Sequence, residues 1–308
     1  VTKILKDRDL NYWIATEGNG LFFIPSVDFY VYNQAQGIPN ANIISLETAE
    51  NKLFFATNDG KLYSSLLSEN AQLDQRKELL PRESFKYCRD ILFGPRRELW
   101  VVSTKYLRYS ENGRPLPLRQ RVRKKTYEFC ETSDGRVLAA MIEGFCMYHK
   151  NSLEYDSRSD GFAGHVRTIC AGADGTIWLG TMNGLYTYNG TAYTYWGDSS
   201  DILAGRITRV REIDGKIWAG TRSDGLAVIS KDSIMILNES RGLSSNMIKS
   251  IHEHRGQAWV GTINGLNRVA WDEQSRLSIS GYSVWDGLPS NEINDLSSYG
   301  DYLIVASN

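Results

Sequence analysis

The 308-residue chain has no apolar run long enough to cross a membrane and no excess of either charge. Its 35 basic and 36 acidic residues leave a formal net charge of -1, which excludes the global positive field that draws in nucleic acid, so direct nucleic-acid contact is not expected. Any anion site must be local. Cysteine is scarce: Cys88, Cys130, Cys146 and Cys170 show no CxxC spacing and are too few to staple a chain of this length, so buried free thiols are expected. The opening residues, VTKILKDRDL, lack the basic-then-apolar order of a signal peptide, and the missing initiator Met points to a mature or trimmed chain. No Gly-rich phosphate loop, nucleophile elbow or metalloprotease motif occurs, so no cofactor and no catalytic residue is assigned. His252 and His254 alternate in SIHEHRG without a third ligand in view; surface or turn histidines are expected there, and no metal.

What the chain does have is a counted phrase. IWLGTMNGLYTY from Ile177 returns as IWAGTRSDGLAV from Ile217 and AWVGTINGLNRV from Ala258. Its leading aromatic, or a substitute, falls at Trp13, Phe54, Trp100, Leu138, Trp178, Trp218, Trp259 and Ile304, in steps of 38 to 46 residues. That period belongs to propellers or solenoids. Asn-Gly and Asp-Gly pairs, such as Asp174-Gly175, Asn183-Gly184 and Asn189-Gly190, divide the fifth unit into four runs too short for ordinary helices. Such pairs suit two-residue hairpins, because both residues take positive φ there. Each unit is therefore read as a four-stranded antiparallel meander, and the chain as an all-β propeller of about seven four-stranded blades. Gly180, Gly220 and Gly261 are expected to admit a neighbouring backbone. Residues 1–287 hold seven units; 288–308 start an eighth, read as truncated or leading into a following propeller, with closure against the first blade as the alternative.

These phrases, with RGLSSNMIKSI and DGLPSNEINDL before the strands, resemble the two-component regulator propeller repeat. The resemblance is strongest from Gly161 to Asn308 and weakest where ELWVVSTKYLRYS and VLAAMIEGFCMY lose its Gly, Trp or Thr. It implies the periplasmic sensor region of a hybrid two-component histidine kinase from gut bacteria, with two seven-bladed propellers and a β-sandwich, anchored in the inner membrane and typically dimeric. It further implies an oligosaccharide ligand released from a glycan and control of genes for using that glycan.

Candidate site residues follow from where loops meet around a propeller axis. Asn42, His165, Arg206, Asn246 and Asn291 stand just before the first strands of their units. Amides both donate and accept, and Arg forks onto carboxylate or sulfate, so the set suits a hydroxyl-rich ligand; the commoner use of such Asn residues is to satisfy turn backbone. Trp196 and Trp285 close fourth strands, and either stack on a sugar ring if exposed or pack between blades if buried; burial is expected. The stretch RPLPLRQRVRKK, 114–125, reads as a solvated basic loop, with an anion-binding strip as the sharper alternative. The leading expectation is a non-enzymatic sensor. Its rivals are a propeller glycan hydrolase or lyase and a structural propeller for dimerisation.

Overall fold

The computed structural model describes residues 1–6, 12–18, 20–24, 29–39, 41–79, 88–102, 106–116, 124–231, 233–271 and 276–308. The short runs are strands and the Gly-bearing pairs are their hairpins. Among the described residues, five antiparallel sheets have four strands in sequential order, two have three, and the last, within 293–307, has two. Every one of the eight counted positions, Trp13 through Ile304, lies on the second strand of its sheet. The Thr that follows the aromatic has a defined task. The Thr181 hydroxyl donates to Gly184 O at 2.8 Å and accepts the Asn183 N–H at 3.0 Å, and Thr262 does the same for Gly265 and Asn264. The hairpin is thus tied at its neck, while Gly184 takes the positive φ, 109°, that the turn demands.

Seven of the sheets form the ring, and we number them blades 1–7. Their inner strands are Ile43–Ala49, Asp90–Gly94, Thr126–Glu131, Val166–Ala171, Ile207–Ile213, Ile248–His254 and Ile293–Tyr299. Each packs on the next, and the seventh packs back on the first. Closure is polar as well as apolar. Leu46 N–H donates to Asp295 Oδ2 at 2.9 Å, Thr48 bonds to Ser297 Oγ at 2.8 Å, and Asn294 Nδ2 donates to Ile43 O at 2.8 Å. Among the described residues the eighth repeat thus packs as blade 7 against the second repeat as blade 1. The sheet of the first repeat, within 3–24, pairs with no described strand of the ring and leaves Ile4, Leu5 and Leu21 exposed.

The inner strands do not keep a plain two-residue alternation. In six blades the pairing with the second strand slips after the first residue, between Ile43 and Ser45, Thr126 and Glu128, Val166 and Thr168, Ile207 and Arg209, Ile248 and Ser250, and Ile293 and Asp295. Such a bulge re-aims the extra residue and bends the strand. The residue after it, or in blade 2 the first strand residue Asp90, reaches across the seam. Ser45 Oγ accepts the Ile91 N–H (3.2 Å), Asp90 Oδ2 that of Phe129 (2.8 Å), Glu128 Oε2 that of Ile169 (2.9 Å) and Thr168 Oγ1 that of Val210 (3.1 Å). With Asp295 onto Leu46, five of the seven seams carry this side-chain staple, each satisfying a backbone donor that faces the next blade. At the two remaining seams the position holds Arg209, which has no acceptor, and Ser250, whose buried hydroxyl has no partner among the described residues.

The repeated glycines are spaces for side chains rather than for backbone. A Cβ on Gly220 would stand 2.6 Å from Ile248 Cγ2, and one on Gly180 or Gly261 would stand 2.6 Å from the Cγ2 of Ile207 or Ile293. In each case the filler is the first residue of the next blade's inner strand. Wedged between blades, Phe54, Trp100, Leu138 and Trp218 are almost wholly buried.

Candidate ligand-binding face

The bulges supply the chemistry at one mouth of the axial channel. Tyr127 and Arg167 are the residues displaced from blades 3 and 4, and the Arg167 guanidinium lies 4.3 Å from the centre of the Tyr127 ring. Arg89 and Lys125 stand 5.5 and 5.4 Å from the same ring, and the His165 imidazole packs on it at 5.0 Å. Cations over an aromatic face gain from its quadrupole, so Tyr127 collects the group. Arg206, which opens blade 5, completes it; its backbone carbonyl accepts the Arg222 N–H at 3.2 Å, bringing the two basic residues to the same edge.

The cluster is electrostatically unrelieved. Burial and then the neighbouring charges of Arg167, Lys125 and Arg206 hold His165 below the usual imidazole range. Burial and Arg206 lower Arg167, and burial and Arg222 lower Arg206. Arg206 Nε and His165 Nε2 are buried without a hydrogen-bond partner among the described residues.

One residue deeper, the staples line the channel with acid. Burial raises Asp90 and Asp295, and Glu47, partly buried, is raised to about 8. Glu128 differs: burial pushes it up, but Arg211 and Arg209 outweigh that and hold it down. Arg211 Nη2 lies 2.8 Å from Glu128 Oε1. These acids serve backbone N–H groups and the two arginines of blade 5, so they are committed within the ring. His252 and His254 sit in the seam between blades 6 and 7, where His252 Nε2 and His254 Nδ1 share the Ser298 hydroxyl at 2.6 and 3.1 Å. His254 is buried, which corrects the expectation of surface or turn positions: both lie on the inner strand. No group of three or more potential metal ligands occurs among the described residues. All four cysteines are free, three of them buried.

The residues expected from sequence part into three groups. His165 and Arg206 meet at the mouth. Asn246 and Asn291 serve their own connections: Asn246 Oδ1 accepts the Glu239 N–H and Asn291 Oδ1 the Val284 N–H, at 2.9 and 2.8 Å. Asn42 offers its backbone carbonyl to the Asn58 N–H at 2.9 Å, and its side chain makes no hydrogen bond among the described residues. Trp196 packs against Trp178 with tilted rings, centroids 5.1 Å apart, and donates to Thr187 Oγ1 at 3.2 Å, which places it in the packing between blades. Trp285 does the opposite of what was expected, being 85% exposed. It rides on a single 3-10 turn, Val284–Asp286, fastened by a capping box in which the Ser283 hydroxyl accepts the Trp285 N–H and Asp286 returns to Ser283. That fastening turns the ring outward. Of the basic loop, Arg119, Arg121 and Arg123 lie outside the described residues, and Lys124 pairs with Glu143 at 2.6 Å. Tyr127, Arg89 and Arg167 were not anticipated, because each comes from a different blade and only the ring assembles them.

Residues 160–183 match the family model described as two component regulator propeller. No curated protein sequence matches the chain. Among solved structures, the extracellular domain of the putative hybrid two component system BT3049 from B. thetaiotaomicron superposes with a TM-score of 0.75 at 17% identity, over 99% of this chain and 44% of that one. The chain thus spans less than half the length of that relative. The corresponding domain of BT4673 gives 0.52 at 18% identity over 96% and 47%. Virginiamycin B lyase from Staphylococcus aureus gives 0.64 at 12% identity, over 87% of this chain and 92% of the lyase. At these identities the likeness is one of fold. The chain carries the two component regulator propeller repeat, and its fold is the β-propeller found in the extracellular domains of putative hybrid two component systems.

Proposed function

We propose that the chain is a ligand-sensing propeller from the periplasmic region of a hybrid two-component sensor anchored in the inner membrane. Its ligand is an oligosaccharide derived from a larger glycan, and its output is regulation of polysaccharide-utilisation genes through a phosphorelay elsewhere in the protein. A second propeller, a β-sandwich and a second copy of the sensor are its partners. Binding transmits a signal when the ligand favours one arrangement of these parts over another.

The observation that carries this reading is Trp285, an 85% exposed ring held on a capped turn in the connection between blades 6 and 7. An exposed, pre-positioned indole offers a flat apolar face to a sugar ring, and ordering it costs little because the turn is already fixed. The unsatisfied nitrogens of His165 and Arg206 belong to the same kind of connection, leading into an inner strand, and add donors for hydroxyl groups.

Titration of the protein with a panel of oligosaccharides tests it, read by calorimetry and by indole fluorescence. A member of the panel is expected to bind, with Trp285→Ala weakening it by about tenfold or more, in line with about 1–3 kcal/mol for stacking on an aromatic. Absence of binding to every saccharide would overturn the ligand class. Release of cleaved product with turnover would replace the sensor by an enzyme, the class to which the lyase of similar fold belongs.

A further inference from the structure

Several basic residues elsewhere in the ring have acids beside them. Lys249 lies 2.5 Å from Glu292, Lys124 pairs with Glu143, Arg211 with Glu128, and Arg97 with Glu50. The mouth differs in gathering its cations at one place. Lys125, Arg167, Arg206 and Arg222 enter no ion pair among the described residues, although they crowd one edge of the channel with Arg89 and His165. In a chain of net charge -1 this is a local accumulation, not the overflow of a basic protein.

Like charges brought together and partly buried cost free energy unless something opposes them. Packing does not explain the cluster, since a neutral residue would fill the rim of a channel as well. The acids one layer deeper are already engaged by backbone N–H groups and by Arg209 and Arg211. Two nitrogens, Arg206 Nε and His165 Nε2, are buried and without a partner among the described residues. A multivalent oxyanion would meet both demands at once: it takes forked bonds from guanidinium groups and supplies the missing negative charge.

We propose that this mouth is an anion-binding site for the acidic group of an oligosaccharide, the carboxylate of a uronic acid or a sulfate ester. Arg167 and Arg206 are the forked donors, His165 gives a third hydrogen bond, and Lys125 and Arg222 act as point charges. Tyr127 is a positioning residue: it holds the cations in place and itself stays buried. The proposal depends on the sensor reading only for the saccharide part of the ligand; the charge argument stands without it.

Inorganic sulfate and four oligosaccharide forms make the test: one rich in uronic acid, one sulfated, and the carboxyl-reduced and desulfated counterparts. Sulfate is expected to raise the melting temperature saturably, and one acidic oligosaccharide to bind at least tenfold more tightly than its neutralised counterpart, less so as salt rises. Loss of affinity on carboxyl reduction identifies a uronate ligand, and loss on desulfation a sulfate ester. Arg206→Gln and Arg167→Gln are expected to abolish the sulfate shift and that preference. Arg222→Gln, at an exposed position, is expected to weaken the acidic ligand about two- to fivefold. Saturable sulfate binding lost in these variants, with no saccharide bound, would keep the anion site and overturn the oligosaccharide sensor. Neutral oligosaccharide binding through Trp285, indifferent to sulfate and to all three substitutions, would keep the sensor and overturn the anion site.

Discussion

Asp295, in the last inner strand, accepts the backbone N–H of Leu46 in the first at 2.9 Å, across 249 residues of sequence. The same staple joins Asp90 to Phe129 and Glu128 to Ile169 within the ring, so the seam where the chain meets itself is built like the others. Asp295→Leu removes the acceptor and leaves a buried N–H unpaired, at a cost of about 1–3 kcal/mol. Asp295→Asn keeps an acceptor oxygen and is expected to lose much less. Urea denaturation of the two variants separates these outcomes; equal losses would mean that the staple does not hold the closure.

The staple pattern also predicts where a hydroxyl is dispensable. Thr168 Oγ1 accepts the Val210 N–H, whereas the Ser250 hydroxyl at the equivalent place has no partner among the described residues. Thr168→Val, nearly isosteric, should therefore destabilise by about 1–3 kcal/mol, while Ser250→Ala should be neutral or stabilising. Thermal unfolding of both reads the contrast directly.

Gly220 is fixed by Ile248 rather than by its own backbone, since its φ is unexceptional and a methyl group there would meet Ile248 Cγ2 at 2.6 Å. Gly220→Ala is expected to cost about 1–3 kcal/mol through overpacking. Pairing it with Ile248→Ala removes the methyl at 2.6 Å but keeps the Cβ at 2.8 Å, so relief is partial and the double variant should lose somewhat less than the sum of the singles. Strict additivity in a double-mutant cycle would show that the two sites do not compete for the same space.

Much of this was legible from residue order, and the reason is physical. Hairpin turns and the tied Thr are local, so Asn183-Gly184 and Thr181 mark their places directly, and the repeated aromatics fall on second strands throughout. Ring closure was not legible, because interchangeable repeats do not say which two meet. The bulge did leave a signal: Ile207 and Val210, Ile248 and Ile251, and Ile293 and Leu296 are buried apolar pairs three apart, a spacing that strict alternation forbids. Read that way, Arg167 and Tyr127 would have stood out as displaced toward the axis. Trp285 misled because the capping box that turns it outward is made by Ser283 and Asp286, whose partnership no periodicity reveals.

Glu47 and His252, each partly buried, should make stability depend on pH in opposite directions. Burial raises Glu47 to about 8, so between the ordinary carboxylate value and that point the folded chain holds a proton that the unfolded chain has released. Its contribution is complete at acidic pH and is lost as pH rises through about 8. Burial, with Arg211, lowers His252 to about 4, so below the ordinary imidazole value the unfolded chain takes a proton that the folded one refuses. That contribution is present above about 6.5 and is lost as pH falls toward 4. Glu47→Gln should flatten the decline of the melting temperature between pH 6 and 8, leaving the acid limb intact. His252→Asn should soften the acid limb alone. Melting temperatures taken at half-unit steps decide both cases, and a Glu47→Gln profile parallel to the parent's would mean that this carboxyl titrates alike in the folded and unfolded chains.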